Sequence, residues 1–184
     1  MKKIGIVSIA AVMALLLTAC GTGNVSPSSS SSHPSGKASA TSSQAPAPVV
    51  SIPEKVSQGS VPDSLAGLKS YLGKNLSLPG NGKSMCSDII GAESGVRYIY
   101  GHNGKDNVTL EMYEYNQANL NSTAQKVISE VKGKGHFLLL GQQVDATLSD
   151  NGKYLMIYKD TATDSSSKAY DAEVKKMFRK FKAD

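Results

Sequence analysis

Apolar positions in the C-terminal two-thirds of the chain switch between two periods. Leu65, Leu68 and Leu72 lie three and seven residues apart, on one face of a helical period. They predict a helix opened by Pro62-Asp63-Ser64, with Asp63 or Ser64 as its cap and the Pro79-Gly80-Asn81-Gly82 loop beyond it. Ser84 to Ile90 predicts a second, short helical piece, with Gly91 past its end. Val96 to Tyr100 and Val108 to Tyr115 are rich in β-branched and aromatic residues and predict strands. In the second strand Val108, Leu110 and Met112 point one way, and Thr109, Glu111 and Tyr113 the other. Asn103-Gly104 between the two strands marks an antiparallel hairpin.

The same alternation of periods then repeats. Ala124, Val127, Ile128 and Val131 predict a helix capped by Asn121 or Ser122 and stopped by Gly133 and Gly135. His136 to Leu140 reads as a short strand interrupted at Gly141. Val144, Ala146 and Leu148 alternate, Asp150-Asn151-Gly152 turns, and Tyr154 to Lys159 returns as a second hairpin. Tyr170, Val174, Met177, Phe178 and Phe181 form the stripe of a last helix. Lys175, Lys176, Arg179, Lys180 and Lys182 crowd its final turns, where cations suit the negative end of the helix dipole. The order helix, hairpin, helix, hairpin, helix predicts an α+β domain: an antiparallel sheet of four or five strands with helices packed on one face. The other face is then open to solvent or to a partner.

Upstream of this region the pattern is different. Met1-Lys2-Lys3 precedes an apolar run from Ile4 to Leu17 that ends in small residues, the form of an export signal. The run is shorter than the roughly 20 apolar residues a spanning helix needs. From Gly21 to about Ser60 there is no periodicity, and Ser, Pro, Ala and Gly dominate, with Ser28 to Ser32 unbroken. Such a composition cannot offset chain entropy by burial and predicts a tether. As a coil, roughly 40 residues span about 30–40 Å.

One cysteine stands at the seam between leader and tether. Leu17-Thr18-Ala19-Cys20 resembles the lipobox of bacterial lipoproteins: Leu, a small residue, Ala or Gly, then Cys. The resemblance covers only the leader. It implies a diacylglyceryl group on the Cys20 sulfur and cleavage after Ala19 by signal peptidase II. It further implies a mature protein held in membrane lipid through Cys20 on the extracytoplasmic face. One acyl chain binds a bilayer marginally, at about 0.8 kcal/mol per methylene, and two anchor it stably. The organisation expected is a signal peptide over 1–19, a lipidated cysteine and tether over 20–60, and a single α+β domain over 61–184.

Charge narrows the partners. Lys2 and Lys3 carry two of the +5 formal charges, so the chain without its leader stands at +3. From Val61 onward 16 basic side chains face 14 acidic ones. Nucleic acid is therefore not an expected partner. An envelope protein or wall polymer fits the implied compartment. With Cys20 lipidated, Cys86 is left alone, so the domain has no internal disulfide and must hold itself by its core.

Few residues suggest chemistry. Cys86-Ser87 at a helix start resembles the Asp-Cys-Ser-Gly start of a family of cell-wall cysteine peptidases, in which the cysteine is the nucleophile and a later histidine its base. The resemblance would make Cys86 the nucleophile of a hydrolase acting on wall peptide, with His102 or His136 as base. Met85 and Asp88 stand where that family has Asp and Gly. The alternatives are a small buried thiol packed with Met85 and Ile89, which is the reading favoured, or an exposed but idle one. His33, His102 and His136 have no metal-ligand spacing, and no metal or cofactor is expected. The acidic stretches at Ser149 to Gly152 and Asp160 to Asp164 lack the pattern of a calcium loop and read as turns. Tyr98, Tyr100, Tyr113, Tyr115, Tyr154 and Tyr158 all fall on predicted strands. On an open sheet face they would form an amphipathic platform for glycan or protein; otherwise they are cross-strand packing. The reading favoured is a non-enzymatic surface lipoprotein whose domain binds a protein or envelope component.

Overall fold

A computed structural model describes residues 48–183. The leader, Cys20, His33 and the tether up to residue 47 lie outside the described residues. Helix α1 (Leu65–Asn75) forms on its leucine stripe, with Leu68 and Leu72 completely buried and the Ser64 hydroxyl accepting from the Gly67 amide at 3.2 Å. Strands β1 (Lys83–Ser84), β2 (Ser94–Tyr100) and β3 (Val108–Glu114) follow. Helix α2 (Ser122–Lys134) is capped by Asn121 and ends on Gly135 in the left-handed conformation. Four strands come next: β4 (His136–Leu139), β5 (Gln142–Asp145), β6 (Thr147–Leu148) and β7 (Tyr154–Asp160). Helix α3 (Ser165–Lys180) closes the chain, and its Asp164 cap accepts from the amides of Ser166 and Ser167.

The main sheet is antiparallel and five-stranded, in the order β1-β2-β3-β7-β6, so the α+β class is as expected. Strand β3 pairs along its whole length with β2 on one side and β7 on the other. One face carries Val96, Tyr98, Val108, Leu110, Met112 and Met156, and packs against α1 and α3. The expectation for the opposite face is only partly met. Tyr113, Tyr115 and Leu155 lie there under Ala124, Val127 and Val131 of α2 and Phe137 of β4. Thus α1 and α3 share one face, while α2 and the β4–β5 hairpin cover part of the other. The cause is β3 itself, which buries side chains of both parities. Only the end of that face near Ile99, which is 52% exposed, remains open.

Three local differences have physical causes. The helix predicted over 84–90 is a 3₁₀ turn at Asp88–Ile90, because the Met85 amide bonds to Gly95 and keeps residues 83–85 extended beside β2. Gly91 then turns back at φ +75°, where a Cβ would meet the Asn121 side chain and the Ala124 amide at 2.5 Å. The residues around Gly141 form a hairpin turn rather than an interruption. Leu140 and Gly141 both take positive φ, as a two-residue hairpin turn requires. The strand expected over 144–148 breaks at Ala146, whose amide bonds back to Gly135.

The segment before residue 61 also joins the domain. Val50, Ile52 and Val61 pack on the core. The buried Asn75 side chain accepts from the Lys55 and Val56 amides at 2.6 and 2.9 Å and donates to the Val56 carbonyl at 2.9 Å. Serine and proline content masked this because the docking uses backbone groups. Leaving these amides unpaired costs about 1–3 kcal/mol. Asn75→Ala is expected to lower unfolding stability by that amount in urea and to open residues 50–60 to protease at low enzyme concentration. Unchanged stability and protection would show that the segment is not held by Asn75.

Candidate binding site

The sheet strands end together on one side of the domain. There the register aligns Tyr100 of β2, Val108 of β3 and Asp160 of β7 in one row, and Leu110 and Tyr158 in the next. The β2–β3 loop folds over this end. Asn107 fixes it: its Oδ1 accepts from the His102 amide, and its Nδ2 donates to the His102 carbonyl and to Asp160 Oδ1, all within 2.9 Å. The His102 ring stacks on Tyr170 of α3, centroids 3.5 Å apart and planes within 8°. Asn103 reaches Ser166 Oγ at 3.3 Å. The loop is therefore latched to the first turns of α3.

Between β7 and α3 lies a cleft of about 280 Å³, lined among others by Tyr158, Asp160, Ser167 and Asp171. Strand β6 pairs with β7 only at Leu155 and Met156, so it does not shield this stretch. Asp160 Oδ2 and Asp171 Oδ1, on two residues that line the cleft, are buried without a hydrogen-bond partner, whereas the Tyr100 hydroxyl lies within hydrogen-bonding reach of the Tyr158 and Tyr170 hydroxyls. An unpartnered buried polar atom costs about 1–3 kcal/mol.

Burial pushes the Tyr100 phenol far above its ordinary pKa, and the neighbouring Tyr170 and Tyr158 phenols push it further. Burial raises Tyr158 as well, helped by the charge of Asp160. Tyr170 is also raised, chiefly by burial. The three phenols are thus neutral hydroxyls at any physiological pH. Lys175 rims the site, with Nζ 2.7 Å from Asp171 Oδ2 and 5.9 Å from the Tyr158 ring centroid.

The tyrosines do not form an open platform. Tyr98, Tyr113, Tyr115 and Tyr154 are buried, and their hydroxyls bond to Asn81 O, Glu111, Ile90 O and Asp63 respectively. Tyr100 and Tyr158 differ because their hydroxyls face each other, and Tyr100 also faces Tyr170, rather than a backbone carbonyl or carboxylate.

The structure does not bring Cys86, His102 and His136 together. Cys86 is exposed, next to the Gly95 end of β2, and belongs to neither a helix start nor the core. His102 follows the opposite end of that strand, about 20 Å away at the rise of an extended chain. His136 lies past the C-terminal end of α2, its Nδ1 3.1 Å from the Lys134 carbonyl oxygen, while the turn after Cys86 packs at the N-terminal end of that helix, where Asn121 donates to Gly91 O. Among the described residues no group of three or more His, Cys, Asp or Glu could hold a metal ion. Much of the basic end of α3 is paired, Lys175 with Asp171, Lys176 with Glu173 and Arg179 with Asp150.

A second concave surface, of mixed polarity, lies between the 3₁₀ turn, α2 and β4; it is lined by Ile89 and Leu138, which are 49% and 56% exposed, and by Lys126 and Glu130.

Sequence reasoning missed Asp160, Tyr170 and Asp171 as one site. Asp160 reads as the start of a turn, and Tyr170 as part of a core stripe. No local signal gave it, because Asp160 comes level with Tyr100 only through the pairing of β3 with β7.

No protein-family model, curated protein or solved structure matches this chain.

The placement of Cys86 sets a direct expectation. In the native protein its thiol should react with a maleimide at the rate of an ordinary exposed cysteine. His102→Ala and His136→Ala should each leave that rate unchanged within about twofold. A rate that falls tenfold in either variant would contradict the separation described here.

Proposed function

We propose that this chain is a non-enzymatic lipoprotein, anchored through lipid on Cys20 at the extracytoplasmic face of the cell membrane. Its α+β domain binds a protein or cell-envelope component in the cleft between β7 and α3. The anchor rests on the leader and on Leu17-Thr18-Ala19-Cys20, with its likeness to a lipobox. The stretch from Gly21 provides reach away from the bilayer, shortened by the docking of residues 50–61. Among the described residues no helix is long and apolar enough to cross a membrane.

The observation that carries the binding role is the cleft between β7 and α3, where Asp160 Oδ2 and Asp171 Oδ1 lie buried without a hydrogen-bond partner. A fold that needed only stability would pair such groups or replace them with apolar ones. The placement of Cys86 far from both described histidines gives the hydrolase reading no support.

Cells fed a clickable palmitate analogue test the anchor. The wild-type chain should carry label and sediment with membranes. Cys20→Ala should lose essentially all label and migrate as the uncleaved precursor. Label retained on Cys20→Ala would overturn the anchor.

A further inference from the structure

We infer that the β7–α3 cleft takes its ligand as an extended peptide, added as a strand to the free edge of β7. This rests on reading the cleft as a binding site, and it is independent of the lipid anchor. The hydrogen-bond pattern of the sheet carries it. In an antiparallel ladder alternate residues turn their N–H and C=O to one neighbouring strand and the rest to the other. The Thr161 amide bonds to Asn107 O and the Tyr115 amide to Lys153 O, so the odd-numbered residues of β7 face β3. The even-numbered ones face outward. On that side the Ser149 amide donates to Tyr154 O, and Thr147 of β6 stands opposite Met156. Beyond Met156 no strand pairs with this edge of β7. The chain leaves the line of β6 at Ala146, whose amide bonds to Gly135 O instead. The N–H and C=O of Tyr158 and Asp160 are therefore turned outward with no partner among the described residues.

Three features select a peptide strand. The outward groups of Tyr158 and Asp160 repeat at about 7 Å, the spacing at which another strand offers its own N–H and C=O. The cleft lies along this stretch, with Tyr158, Lys159 and Asp160 on one side and Ser167, Lys168 and Asp171 of α3 on the other. A space of about 280 Å³ walled by a helix admits a single chain and excludes the edge of a second sheet. The edge is also preformed: Asp160 Oδ1 accepts from Asn107 Nδ2 and the Ala162 amide, both at 2.8 Å. The opposite edge of the sheet lacks these features. There β1 covers β2 as far as Arg97 and leaves Ile99 as the uncovered outward residue, beside the loop at Pro79 and Gly82. Charge on the cleft lining is balanced, Lys159 and Lys168 against Asp160 and Asp171. Main-chain bonds therefore set the affinity, and alternate side chains of the peptide enter the cleft.

The test uses the purified full chain in detergent and reads its backbone amides by NMR. The probes are blocked heptapeptides in which threonine alternates with valine, serine, tyrosine, lysine or glutamate, and a trimer of N-acetylglucosamine is the non-peptide probe. At least one peptide should shift the Tyr158 and Asp160 amides saturably, with a Kd of about 0.1–2 mM. At saturation the solvent exchange of those two amides should slow at least about fivefold, while the Ile157 and Lys159 amides, already turned to β3, stay within about twofold. N-methylation of alternate amides of that peptide should weaken binding at least about tenfold in one parity and less than about threefold in the other. Ala162→Trp, which fills the cleft beside this edge, should weaken binding at least about fivefold in a protein whose circular dichroism is unchanged. Equal binding of both N-methylated forms and the parent peptide, or equal responses at odd and even residues of β7, would overturn strand addition while leaving the cleft a peptide site. An Ala162→Trp variant that folds and binds as wild type would overturn it too. Saturable shifts of the cleft residues with the glycan alone would overturn the peptide and leave the cleft a binding site. No saturable shift with any probe would overturn both readings. Slow exchange at Tyr158 and Asp160 that grows with protein concentration before any probe is added would assign the edge to a second copy of the chain and overturn the inference.

Discussion

Everything in this domain depends on the burial of β3 on both edges and both faces. Its seven residues pair with β2 on one side and β7 on the other. Val108, Leu110 and Met112 are completely buried beneath α1 and α3, and each such side chain contributes about 1.5–3 kcal/mol. Tyr113, on the opposite face, is buried as well, and it packs with the cluster that α2 builds. Glu111 also lies on that face and is nearly buried. It is tolerated because it accepts from Arg97 Nε and from the Tyr113 hydroxyl, both at 2.7 Å. Buried carboxylates persist where they are paired and hydrogen-bonded in this way.

A strand held so firmly sets the level at which its neighbours end. Tyr100, Val108 and Asp160 come to rest side by side, and the β2–β3 loop has one place to go. Asn107, the residue before β3, ties that loop to Asp160, and His102 then lies flat on Tyr170. The polar cleft is thus a product of sheet register. Tyr158 and Asp160 reach it from β7, and Ser167 and Asp171 from α3. At the other end of the sheet the polar groups are paired: Glu114 accepts from the Leu65 amide, and Tyr154 donates to Asp63 at 2.6 Å. Burial works against ionisation of Asp63, but Tyr154 and Lys153 outweigh it and hold the carboxyl below its usual range.

Helices were legible wherever period and cap agreed. The leucine stripe of α1 with Ser64, and the stripe of α2 with Asn121, both form as the spacing predicts. The first hairpin and the turn at Asp150-Asn151-Gly152 were legible for the same local reasons. The second buried face was not. Glu111 and Tyr113 look like solvent positions in an alternating strand, and only their hydrogen bonds to each other and to Arg97 show otherwise. Leu140-Gly141 looked like an interruption because the sequence does not show that both residues take positive φ. Docking of residues 50–60 was invisible because Asn75 holds backbone amides, whatever side chains they carry. Of the site, the sequence offered Tyr100, Tyr158 and His102 separately. Asp160 and Asp171 join them through register and helix packing, which no local pattern encodes.

The most direct test of the central claim is a high-resolution crystal structure of the chain. The account expects β3 buried on both faces, an open cleft between β7 and α3, and Asp160 held by Asn107 and the Ala162 amide. A closed cleft, or an Asp160 side chain released from Asn107, would contradict it.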